Sequence, residues 1–186
     1  DHRITHLYFT GPDRVNLYRF HSPPEHGDKI DRATMLQVHS RRQAVHGLEL
    51  GPLGTLTLRL VMPWRHRGQD LGYIEIGEEI RHLINEVSDS LAVDLLVLVN
   101  KRYLEPQQWR RGQTLMNRQG DWLRFSSHVA LAQTAAQLPA ALDDRVLARL
   151  LAGKAVEIDD RGRSLHMACV PLADAGGHHI GELAIM

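Results

Sequence analysis

Between Leu56 and Gly77 the chain reads LTLRLVMPWRHRGQDLGYIEIG, and apolar and polar positions alternate in two runs. Leu56, Leu58, Leu60 and Met62 fall on one face, and Thr57, Arg59 and Val61 on the other, which is the pattern of a half-buried strand. Pro63 has no N–H to give, so the first strand is expected to stop there. Arg65 to Asp70 supplies a turn, and Leu71-Gly72-Tyr73-Ile74-Glu75-Ile76 returns as the second strand.

The same hairpin pattern closes the chain. Cys169-Val170-Pro171 repeats Val61-Met62-Pro63, and Ile180-Gly181-Glu182-Leu183-Ala184-Ile185 repeats the run that starts at Leu71. Pro171 lies 108 residues after Pro63, and Gly181 lies 109 after Gly72. Solenoid units run to roughly 20–50 residues, so this spacing fits two tandem copies of a small α/β module instead.

The remaining sequence divides accordingly. Ile4 to Phe9 and Val15 to His21 are strand-like runs around the turn cluster Thr10-Gly11-Pro12-Asp13. Ser22 to Gly27 is a loop, and Asp28 is placed to cap a helix from Lys29 to Arg41. Gly47 to Gly54 is a short strand broken by a tight turn. From Glu78 to Leu91 the period becomes helical, with Ile80, Leu83, Ile84, Val87 and Leu91 on one face. Val93 to Asn100 is nearly all apolar and reads as a central strand buried on both sides.

Further on, Leu104 to Leu115 is weakly helical and Leu138 to Leu151 is a stronger helix, while Trp122 to Ala132 fits strand or helix equally. Ala155 to Ile158, the turn Asp159-Asp160-Arg161-Gly162, and Leu165 to Val170 precede the terminal hairpin. Each half thus reads as early strands, a helix and loops, then three closing antiparallel strands. This is an α+β layout with helices on one side of the sheet. The expected division is residues 1–80, a connecting helix 81–91, and residues 92–186.

Composition narrows the function classes. Lysine plus arginine equals aspartate plus glutamate at 22 each, so no global field attracts nucleic acid or an anionic membrane surface. Cys169 is the single cysteine, which removes any internal disulfide framework or cysteine-built zinc site. No run approaches the roughly 18 apolar residues of a membrane span. Strand-like sequence starts near Asp1 and ends at Met186, so the chain reads as a fragment of a longer one, with membrane contact only through flanking segments.

The order of elements and the duplicated hairpin resemble the double-Cache sensor domains of bacterial sensor histidine kinases, chemoreceptors and diguanylate cyclases. The residues Arg19-Phe20-His21-Ser22-Pro23, Gly27-Asp28-Lys29-Ile30-Asp31-Arg32 and Gly47-Leu48-Glu49-Leu50-Gly51-Pro52-Leu53-Gly54-Thr55 look like the distal module of the group attached to two-component kinases. Over residues 4–80 the motifs carry the resemblance, and beyond them the layout and the repeated hairpin do. It implies two tandem PAS-like modules and a periplasmic, ligand-sensing portion of an inner-membrane receptor. It also implies a small-molecule ligand and a homodimer in the full-length protein. The family's long N-terminal dimer helix has no counterpart before Asp1. An arginine followed by an aromatic pair, the family's amino-acid signature, is also missing, which counts against an amino-acid ligand.

Such domains hold a ligand between the sheet and the loops and helices over it. The candidates are polar residues where a plain core would carry apolar ones: Arg19, His21, Asp28, Asp31, Arg32, Glu49, Thr57, Arg59, Tyr73 and Glu75. Arg19 with Arg59 would clamp a carboxylate or phosphate of an organic acid or similar polar metabolite. The opposing reading pairs Arg19 with Asp28 or Arg59 with Glu75, so that the charges merely knit the sheet, and the alternative function is a non-binding structural or dimerisation relay module with filled pockets.

Other chemistries find less support. His21, His26 and Asp28 in one loop and the doublet His178-His179 are the nearest approach to a metal set, without regular ligand spacing. No nucleophile elbow, phosphate loop, dinucleotide fingerprint or C-x-x-C-H haem motif occurs, so neither catalysis nor a cofactor is expected.

Overall fold

A computed structural model describes residues 4–186. The chain separates into two compact units. Unit 1 comprises Asp1–Glu49, Leu56–Ile80 and Asp174–His178, and unit 2 comprises Leu50–Thr55, Arg81–Ala173 and His179–Met186.

Unit 1 is built on β1 (His6–Thr10), β2 (Asn16–Arg19), α1 (Ala33–Arg41), β3 (Val45–Leu50), β4 (Leu56–His66) and β5 (Gln69–Glu79). Its five strands lie in the order β2-β1-β5-β4-β3, and β1 and β4 run antiparallel to β5 between them. One face of the sheet packs on α1 through Ile30, Met35, Val38, Val45, Val61 and Tyr73.

Unit 2 contains α2 (Ile80–Leu91), β6 (Leu95–Asn100), α3 (Pro106–Leu115), β7 (His128–Gln133), α4 (Asp144–Leu151), β8 (Val156–Asp160), β9 (Arg163–Ala173) and β10 (His179–Ile185). The strand order β7-β6-β10-β9-β8 repeats that of unit 1 element for element. Its core joins Leu96 and Leu98 of β6 and Ala184 of β10 to Phe125, Leu142, Leu147, Leu150 and Met167. β6 is buried along nearly its whole length, as its unbroken apolar run predicts.

The repeat read from the sequence is a repeat of geometry. Pro63 pairs with Tyr73 and Pro171 with Glu182, in each case the residue after the hairpin glycine. A β-carbon on Gly72 would lie 1.9 Å from the carbonyl oxygen of Thr10, and one on Gly181 would lie 1.9 Å from that of Leu98. Both glycines are therefore required by the same close approach of the neighbouring strand. The two antiparallel sheets with their helices form an α+β pair of tandem PAS-like modules, as expected.

Several boundaries differ from the sequence reading. β4 continues through Pro63 to His66, and the turn shrinks to Arg67 and Gly68. β2 ends at Arg19, with Leu17 and Tyr18 exposed on this edge strand. α1 starts at Ala33 because residues 28–30 are already paired: Asp28 O accepts from Asn16 N, and Lys29 bridges Val15. Residues 78 and 79 extend β5 rather than opening α2. α4 begins at Asp144, where the Asp143 carboxylate accepts from the N–H groups of Arg145 and Val146. The ambiguous segment splits, residues 122–127 forming turns and β7 beginning at His128.

Candidate functional site

The inner face of the unit 1 sheet carries charge where a plain core would carry hydrocarbon. Strand alternation puts Arg59 and Thr57 of β4, Tyr73 and Glu75 of β5, Glu49 of β3 and Tyr8 of β1 inside, all of them buried. Register aligns them in rows. Tyr8 sits opposite Arg19 on one side and Glu75 on the other. Gly77 lies between His6 and Arg59, and having no side chain it lets those two approach across it.

Four of the predicted residues close into a ring. Arg32, at the mouth of α1, donates from one nitrogen to both oxygens of Glu75 at 2.6 and 2.7 Å. Arg59 donates to the same carboxylate, sharing its Oε1 with Arg32. Glu49 completes the ring, its Oε2 lying 3.1 Å from Arg32 Nε and 3.5 Å from Arg59 Nε. Its other oxygen accepts from the N–H and hydroxyl of Thr34 at 2.8 Å, capping the helix that its own N-cap residue leaves uncapped. Burial lowers the Arg32 pKa, but the charge of Glu75 outweighs it, so the net shift is upward and the guanidinium stays charged.

Tyr8 is the hub beside this ring. The guanidinium carbons of Arg19, Arg32 and Arg59 lie 5.2, 5.3 and 5.9 Å from the centre of its phenol ring. His21 stacks on the same ring at 5.4 Å, and His6 meets His21 edge-on at 4.9 Å. Burial, reinforced by Arg59, holds the His6 imidazole down to a pKa of about 4. Burial and then Arg19 hold His21 below its ordinary value. Both rings are neutral at neutral pH.

Arg19 fastens the loop at the rim. It donates to the carbonyl of Glu25 at 2.8 Å and to Asp28 at 2.6 Å. Burial pushes the Asp28 carboxyl up, but the hydrogen bond from Arg19 wins and its pKa is lowered. Asp28 is therefore a partner of Arg19 and not a helix cap.

The other candidates lie outside this group of contacts. Asp31 is exposed and pairs with Arg14. The Tyr73 hydroxyl accepts from Arg42 and lies 2.8 Å from His39 Nδ1. Thr57 is fully buried and makes none of the ion-pair contacts. Sequence reasoning missed Tyr8, His6 and Thr34, although Tyr8 and His6 alternate with Thr10 on the inward face of β1. On the outer face of the same sheet, Ile4, Leu58, Leu60 and Ile76 line an apolar groove of about 370 Å³.

Unit 2 is built differently at the matching positions. Ala184 of the apolar core takes the place of Glu75, and Glu182 takes that of Tyr73. Glu182 is buried between His128 at 3.2 Å and His179 at 2.9 Å, whereas His178 pairs with Asp174. Among the described residues, no three His, Cys, Asp or Glu are arranged to hold a metal ion. The Cys169 thiol lies 2.9 Å from the Leu150 carbonyl, and burial followed by the Glu182 charge raises its pKa.

The chain is similar to a domain of a sensory box/GGDEF family protein from Vibrio parahaemolyticus, with 13% identity, 98% of this chain and 71% of that one covered, and a TM-score of 0.46. It is also similar to the ligand-binding domain of the amino acid chemoreceptor PctC of Pseudomonas aeruginosa PAO1, solved with GABA, at 15% identity, 99% and 74% coverage and a TM-score of 0.39. An extracellular ligand-binding receptor from Desulfohalobium retbaense matches at 12% identity and a TM-score of 0.46, over 98% of this chain and 30% of that one. No curated protein matches the chain. A family model described as the double sensory domain of two-component sensor kinases, a double-Cache family, matches residues 1–186. The chain belongs to that family of double sensory domains.

Proposed function

We propose that the chain is the extracytoplasmic sensing region of a membrane-bound receptor, and that unit 1 binds a small polar or anionic molecule against Tyr8. The observation that carries this reading is the convergence of Arg19, Arg32 and Arg59 within 5.9 Å of one phenol ring. Guanidiniums drawn out of water and held by packing are suited to a planar anionic group, and they bind it more strongly than exposed ones do. A ligand carboxylate meeting Arg19 competes with Asp28, and one meeting Arg32 or Arg59 competes with Glu75. Either exchange loosens a tie between the sheet and the loop or helix above it. Ligand binding can bias the two arrangements only by its differential affinity for them. Among the described residues, no helix is long and apolar enough to cross a membrane.

A thermal-shift screen of organic acids and amines tests the reading. Stabilisation by at least one compound, lost in Arg19→Gln, is the expected result. No shift with any compound would count against it.

A second reading is favoured by one feature. Glu75 is 0% exposed and already engaged by both Arg32 and Arg59, as in a module whose site is filled by its own side chains and which only relays or dimerises. In that case Arg59→Met with Glu75→Leu would leave signalling by the full receptor unchanged.

A further inference from the structure

The charges paired around Tyr8 balance before any ligand arrives. Three guanidiniums (Arg19, Arg32, Arg59) face three carboxylates (Asp28, Glu49, Glu75), and each is committed to a partner. An anion entering such a half-buried, neutral cluster adds uncompensated charge, which is costly away from water. Among the described residues, the groups around Tyr8 that can change charge near neutral pH without breaking an arginine–carboxylate pair are the imidazoles of His6 and His21.

Their surroundings decide which charge state they take. His6 faces Arg59 from β4, Glu75 and Glu79 from β5, the hydroxyl of the preceding Thr5, and His21. His21 faces Arg19 at the end of β2, Glu25 of the following loop, Arg59 of β4, and the rings of Tyr8 and His6. Burial and the nearest guanidiniums keep both unprotonated. A dianion set against the guanidiniums reverses the sign of the local potential, and each imidazole can then accept one proton.

Taking unit 1 as the ligand site, we propose that it binds a small dianion, organic dicarboxylate or inorganic oxyanion, and that His6 and His21 take up protons as the dianion enters. Two imidazoles match two negative charges. The coupling is reciprocal: a ligand that favours the imidazolium forms is itself bound more tightly as pH falls. The domain then reports anion and acidity jointly, responding most strongly when both are high.

The 186-residue chain is titrated with sulfate, which stays doubly charged from pH 5 to 8, and separately with succinate, against sodium chloride of equal ionic strength. The expected result is an apparent Kd for sulfate that falls several-fold per pH unit between pH 7.5 and 5.5. It is accompanied by proton uptake in calorimetry across buffers of different ionisation enthalpy. In the unmutated chain, the C2–H resonances of His6 and His21 move their titration midpoints upward when sulfate is added. His6→Asn and His21→Asn flatten the pH dependence while keeping binding that Arg19→Gln abolishes. Tighter binding of succinate than sulfate at pH 7.5 assigns the site to dicarboxylates, and the reverse assigns it to inorganic oxyanions. Arg19-dependent binding that is indifferent to pH, with unmoved histidine resonances, overturns the proton coupling and leaves the ligand reading intact. If neither dianion binds at either pH while another compound from the screen does, the dianion assignment alone is wrong.

Discussion

Arg32 at the start of α1 and Glu75 in the middle of β5, 43 residues apart in sequence, meet through two hydrogen bonds from one guanidinium nitrogen. That contact ties the helix to the sheet at a point where the carboxylate is wholly shielded from water. Removing one member of such a pair strands the others.

Glu75→Ala should therefore cost about 3–5 kcal/mol in urea denaturation, since it leaves Arg32 and Arg59 facing each other without their shared carboxylate. Arg59→Met combined with Glu75→Leu should cost clearly less than the sum of the single changes, because the pair is removed together. A Glu75→Ala variant as stable as the parent would show that the ring does not hold the unit together.

The hairpin glycines should be intolerant in both halves. Gly72→Ala and Gly181→Ala each drive a methyl group into a neighbouring carbonyl oxygen, and each should lower stability by about 3 kcal/mol or more. Gly153→Ala, at φ 73° with open space around it, should cost only about 1 kcal/mol. Comparing the three midpoints separates steric exclusion from backbone strain, and equal losses would reject the distinction.

Acid should weaken unit 1 before carboxylate protonation begins. The folded pKa of His6 is depressed to about 4 from an ordinary 6.5, so the unfolded chain binds more protons than the folded one in that window. Stability should be full above pH 6.5 and should fall as pH drops toward 4, with His21 contributing in the same direction. His6→Asn should flatten the decline of melting temperature over this range. An unchanged slope would place the acid sensitivity elsewhere.

Cys169 should react slowly with iodoacetamide at pH 7.5 in the folded chain and rapidly after unfolding. Its thiol pKa is raised by burial and by Glu182, and the thiolate is the reactive form. Equal rates in the two states would contradict the placement of this side chain.

The architecture was legible because two hairpins with nearly the same proline-to-glycine spacing share one strand pairing, and the sequence carries both. The opening helix was harder. Asp28 looks like a cap until Arg19 is known to hold its carboxylate, and that contact depends on how β2 and the following loop fold back. Both charge pairs that the non-binding reading anticipated, Arg19 with Asp28 and Arg59 with Glu75, are present. The ring they belong to could not be read locally, since it joins residues 32, 49, 59 and 75 from four separate elements. Tyr8 went unnoticed for a simpler reason: a tyrosine alternating along an early strand resembles any other core aromatic.

Where Glu75 stands in the first sheet, Ala184 stands in the second, and the consequence reaches the calorimeter. Hydrocarbon burial brings a large heat-capacity change on melting, while a core knit by ions brings less and depends on pH. The two units should thus melt as chemically distinct bodies. The second should be governed mainly by temperature, and the first by temperature and by the proton concentration outside it.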